Sequence, residues 1–192
     1  MPGEAAIKKK NNFIYKASFM QTTMVDTEKL LPDFTAAAGT FTGVLKTVPE
    51  DVFNRVPFEG SWSPAQVGDH VLKFLNGIKS ALELPQVVPG RAPDAYDPVL
   101  QEIFLNFDRK AKAPAFVEPS KDHIDKTALL GALEQTTEAL RSRIGAGGLL
   151  TLCAGAPFPT LGDMTGMEWV LFGDYHLQRH ARQLEQMQPF FN

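Results

Sequence analysis

The chain has 192 residues and a mass of 21.1 kDa, enough for one domain with a buried core. Hydrophobic residues at 44% and charged residues at 21% exclude wholesale disorder and a fibre. Nineteen basic residues against 22 acidic ones leave a net charge of −3, so no chain-wide positive field draws in a polyanion. Neither nucleic acid nor a membrane surface is an expected partner.

The single Cys153 can neither close an intramolecular disulfide nor supply a thiolate-rich zinc site. At the N-terminus Lys8, Lys9 and Lys10 precede Phe13, Ile14 and Tyr15, as in an export signal. Asn11, Asn12, Lys16 and Ser18 break the run of ~7–15 apolar residues such a signal needs, and no stretch reaches the ~18–20 that span a bilayer. The expectation is a cytoplasmic protein, with residues 1–25 a poorly ordered leader and 26–192 a helical domain. Met20 and Met24 leave room for a later start.

In chain order, Phe34, Ala38, Phe41, Leu45 and Val48 step by three and four and predict a first helix, with Pro32 in its first turn and Pro49 after its end. A second helix opens on Ser63-Pro64-Ala65-Gln66, a Ser-x-x-Gln capping box with proline at the first helical position. Its inward stripe is Val67, Val71, Phe74, Leu75, Ile78 and Leu82. Six of the 14 prolines then fall between Pro85 and Pro119, which rules out one long helix there. Val99, Leu100, Ile103, Phe104 and Phe107 fit a short helix inside that crossover.

A third helix carries Leu129, Leu133, Leu140 and Ile144, starts between Ser120 and Thr127, and has Gly145 as its expected cap. A fourth opens on a second box, Thr165 with Glu168, buries Val170, Leu171, Leu177, Ala181 and Leu184, and runs to about Gln188. No convincing alternating segment stands out. Four amphipathic helices with no sheet predict an all-α four-helix bundle with long crossover connections.

Of the four histidines, His176 and His180 lie four apart on one side of the fourth helix, about 6 Å along its axis. His70 sits at the edge of the second helix's apolar stripe. If these helices pack together, three neutral imidazoles meet at one seam and leave coordination positions for water or substrate. Such donors favour zinc, nickel, copper or iron over magnesium or calcium.

The segment Trp62-Ser63-Pro64-Ala65-Gln66-Val67-Gly68-Asp69-His70 resembles the DinB/YfiT-like metalloprotein superfamily. So does Phe158–Gln183, with Leu161-Gly162-Asp163-Met164-Thr165, Glu168-Trp169 and His176-x3-His180. The resemblance covers about Phe34 to Gln188 and places His70, His176 and His180 at the family's ligand positions. It implies a four-helix bundle, often a homodimer, that binds a divalent transition metal, nickel or zinc first and iron or manganese after them. Phe172-Gly173-Asp174-Tyr175 departs from the family's usual lead-in to its histidine pair, and Gly173 weakens the helix one turn before it.

Characterised members of the superfamily include transferases and isomerases that use low-molecular-weight thiols, and many others are described as metal-dependent hydrolases. The function expected from the resemblance is therefore a metal-dependent thiol S-transferase or hydrolase acting on a small molecule. The alternative is a non-enzymatic dimerisation or small-molecule-binding module. No general base can be assigned. Asp69 and Asp174 are expected to orient histidines or face solvent, and Glu168 to serve its cap. His123 is expected on the surface, Cys153 as buried filler, Trp62 and Trp169 as core packing, and Arg179 and Arg182 on a solvated face.

Overall fold

The computed structural model describes residues 26–109 and 112–191. The expected leader, Lys8–Lys10 and the alternative starts lie outside these residues. The described chain is mostly helical. Its long helices are α1 (Thr27–Thr47), α3 (Pro64–Leu82), α5 (Lys126–Gly145) and α6 (Gly166–Met187), with short helices α2 (Glu50–Phe53) and α4 (Asp97–Phe104) between them. α1 packs against α5 and α6, and α3 packs against the same two. Phe34, Phe41, Leu45, Leu75, Ile78, Leu133, Leu140 and Leu177 fill the space between them.

Both capping boxes form as the sequence predicts. In each, the Ser63 or Thr165 hydroxyl accepts from the third backbone N–H, and the Gln66 or Glu168 side chain accepts from the capping residue's own N–H. Other boundaries differ from expectation. α1 starts at Thr27, so Pro32 lies in its second turn, where it removes one intrahelical bond. α5 is opened by Asp125, whose carboxylate accepts from the Ala128 N–H at 2.7 Å. It ends one residue past the expected point, and the left-handed turn falls to Gly147 and Gly148 rather than Gly145.

The helical reading missed a small antiparallel sheet, β1 (Gln86–Val87), β2 (Leu152–Phe158) and β3 (Gly162–Thr165), in the order β1-β2-β3. Its strands give little alternation because β2 contains Gly155 at φ +103° and Pro157, and its pairing with β3 shifts between Leu152 and Pro157. The sheet ends on Thr165, the cap of α6, and so fixes where that helix enters the core.

The glycine before the histidine pair has a packing reason. A Cβ on Gly173 would lie 2.9 Å from Ile78 Cδ1 and 3.4 Å from Phe34 Cε2, so its absence lets α6 approach α3 and α1 closely. No described helix is long and apolar enough to cross a membrane.

Candidate metal centre

α3 and α6 bring the three predicted histidines together. The His70 ring centroid lies 4.8 Å from that of His180 and 5.4 Å from that of His176, and the latter two are 4.6 Å apart. One nitrogen from each ring lies within 4.8 Å of the others, and the group contains no carboxylate or thiol. His123 is exposed and outside it.

Two rings have a fixed tautomer. His70 Nδ1 lies 2.7 Å from the Val117 carbonyl, which can only accept, so Nδ1 carries the proton and the neutral ring's lone pair is on Nε2. His180 Nδ1 is held in the same way, 2.7 Å from Gln183 Oε1, and its Nε2 is buried without a protein partner. His176 Nδ1 is also buried without a partner. Buried nitrogens are normally paired, and an imidazole oriented by a hydrogen bond on its far side is the usual form of a metal ligand. The donor set therefore fits a transition metal held by His70, His176 and His180.

The surroundings keep these rings neutral. His176 stacks on Phe74 at 4.4 Å and 9°, with Phe104 at 4.8 Å and Phe172 at 5.0 Å. Trp62 packs against His70 at 5.0 Å. Burial pushes His180 down to about 3 and His176 well below the usual histidine value, and mutual repulsion among the rings adds to this. His70 is lowered by burial too, opposed by its bond to Val117. An unprotonated imidazole is the form that ligates.

The three carboxylates named as possible bases are all engaged elsewhere. Asp69 neither faces solvent freely nor bonds a histidine: it accepts from the Ser120 N–H and pairs with Lys73 at 2.8 Å. Asp174 is buried, accepts from Gln178, and is raised by that burial above the ordinary carboxylate range. Glu168 caps α6 as expected and does more. Its fully buried carboxylate takes a two-pronged contact from Arg91 at 2.6 and 2.7 Å and a third bond from the Tyr96 N–H. Arg91, 77 residues away, carried no sequence signal.

α4 is strapped along α6. The Tyr175 hydroxyl donates to Asp97, and the Arg179 guanidinium donates to the carbonyls of Phe104, Asn106 and Arg109. Arg182 lies over the Phe107 ring. Cys153 is fully buried, as expected of a filler.

The DinB superfamily model matches residues 33–184, the span that contains all three clustered histidines and both boxes. The chain belongs to the DinB superfamily. Within it, the uncharacterized protein YuaE of Bacillus subtilis (strain 168) is 24% identical over 147 residues, covering 74% of this chain and 87% of that protein. No solved structure matches the chain.

Proposed function

We propose that this DinB-superfamily chain is a metal-dependent enzyme built as a four-helix bundle, with nickel or zinc on His70, His176 and His180 and a low-molecular-weight thiol as cosubstrate. The observation that carries it is the set of neutral imidazoles from α3 and α6, His70 and His180 buried and His176 half-buried, two of them with an unpartnered buried nitrogen and, among the described residues, no carboxylate or thiol in the cluster as a fourth donor. A closed structural site would add that fourth ligand. A bound divalent ion would supply Lewis acidity, stabilising a thiolate or hydroxide at neutral pH.

The chain's own residues favour the thiol over water. Val117 and Gln183 hold two rings in the ligating tautomer. Phe74, Phe104 and Phe172 line the His176 ring and keep water from competing there. Asp69, Asp174 and Glu168 are each bound to other groups, so none of them stands free to assist a water as general base. Transfer of a bound thiolate needs no such base from the chain.

The test is metal analysis of untagged protein beside His176→Ala, followed by a thiol-transferase and hydrolase screen of the loaded protein. About one metal per chain in the wild type, lost in the variant, is the expected result. Equal content in both would refute the ligand set. Metal without turnover on either substrate class would favour a binding or structural module.

A further inference from the structure

Beyond Val117, whose carbonyl orients His70, the chain has no helix or strand of its own to hold it until α5. A single 3₁₀ turn, Ala115–Val117, ends there, and Glu118, kept out of the helical region by the following Pro119, lies at φ −58° and ψ +134° and leads on to Ser120. Main-chain groups outside regular structure must find partners elsewhere, and here they find them on α3. The Val117 carbonyl accepts from His70 Nδ1 at 2.7 Å, the Glu118 carbonyl from Lys73 Nζ at 2.8 Å, and the Ser120 carbonyl from Gln66 Nε2 at 3.1 Å. The Ser120 N–H donates to Asp69 Oδ2 at 2.7 Å.

Positions 66, 69, 70 and 73 share one face of α3 and span about 10 Å of its axis. Extended chain from 117 to 120 covers about 9 Å, so helix face and segment match in length. They run in opposite directions, with Gln66 and Asp69 on Ser120 and His70 and Lys73 on Val117 and Glu118. Asp69 is the ionised acceptor in this set, which makes its bond to Ser120 the charge-assisted one. Lys73 reaches the same Oδ2 at 2.8 Å and joins the Ser120 and Glu118 contacts into one network. Gln66 is committed at its other end to the Ser63 N–H of the capping box. Adjacent residues on a helix do not face each other, so what Asp69 does for the His70 ring it does through the loop.

We propose that Asp69 is a positioning residue for the metal ligand His70: its hold on the Ser120 N–H, reinforced by Lys73 on Glu118, keeps the Val117 carbonyl on Nδ1 and so leaves Nε2 as the ligating nitrogen. The inference deepens the metal-site reading and rests on it for what binds at Nε2. It gives a role to a carboxylate that touches neither the histidines nor a metal.

The test has two readouts, neither of which needs turnover. Metal-free protein labelled with ¹⁵N-histidine reports the tautomer of each ring through the couplings of its two nitrogens, with His70→Gln and His180→Gln assigning the signals. In Asp69→Ala the His70 ring should pass from the Nδ1–H form to a mixture of tautomers, while His180, held by Gln183, stays as it was. Lys73→Met, which keeps the Asp69 carboxylate, should give the same change in smaller measure. Zinc affinity, read by competition with a chromophoric chelator, should fall about tenfold in Asp69→Ala and stay within about twofold of wild type in Asp69→Asn, whose amide oxygen still accepts from Ser120.

A His70 ring that remains wholly Nδ1–H in both Asp69→Ala and Lys73→Met overturns the proposal. So does an Asp69→Asn variant as weak as Asp69→Ala, because the ion would then be responding to the carboxylate's charge and not to its grip on the loop. Wild-type protein that takes up no zinc overturns the metal-site reading instead, and with it the ligand role of His70, whatever the tautomers do.

Discussion

The two ends of α6 bury polar groups in opposite ways. At its start Glu168 is fully enclosed, yet its two oxygens accept from Arg91, Tyr96 and Thr165. Two to three turns later His176 and His180 are enclosed with a nitrogen apiece left over. Desolvation penalises both ends, and only the first is compensated within the chain. A buried polar cluster that closes on itself serves the fold, and one that stays open has its missing partner elsewhere. This contrast separates two acidic and basic groupings that look alike in composition.

The largest effect expected from that contrast is on ligand-linked stability. Zinc or nickel at about a thousandfold over its dissociation constant should stabilise the protein by ~4 kcal/mol, read as a rise in urea midpoint. His180→Ala should abolish the gain. A variant that keeps it would mean the ion sits away from the three histidines.

Next comes the closed end. Arg91→Ala strands a buried carboxylate and should cost about 3 kcal/mol, a fall in Tm of ~6–12 °C, with metal content per folded chain unchanged. Should the variant instead lose its metal and keep its Tm, the roles of the two ends would be reversed.

A third, smaller effect is the pH response of metal-free protein. Unfolded histidines titrate near 6.5, whereas burial lowers all three in the fold, to about 3 for His180. Below ~6.5 the unfolded chain binds more protons, so stability is complete above that value and declines as pH falls through it, by up to about 1.4 kcal/mol per unit per histidine. Urea midpoints at pH 7.5 and 5.5 should differ accordingly, and bound metal, which also keeps protons off the folded rings, should leave the difference at least as large. A flat profile over that window would show the rings to be solvated.

The smallest is a refinement of the open end. Gln183→Leu removes the group that orients His180, and should weaken metal binding about tenfold while leaving the helical circular dichroism signal unchanged. Unaltered affinity would assign Gln183 to packing alone.

How much of this was legible in the sequence follows from the range of each interaction. The capping boxes are contacts three residues long, so Ser63-x-x-Gln66 and Thr165-x-x-Glu168 announce themselves. His176 and His180 are four apart, and His70's place beside an apolar stripe makes their meeting predictable once α3 packs on α6. Gln183, three residues past His180, lies within the same short range. The bonds from Arg91 to Glu168 and from Ser120 to Asp69 join positions 77 and 51 residues apart, with no periodicity to betray them. The sheet escaped because its strands are two, seven and four residues long and the longest is interrupted by a glycine and a proline.

The Val117 carbonyl that steadies His70 belongs to the main chain, 47 positions from the ring it serves. Every amino acid has that oxygen, so no replacement at position 117 deletes it. Only rerouting the loop can do so, by lengthening, shortening or bending it. Support of this kind is inherited through the path of the backbone and leaves no letter in the sequence by which to find it.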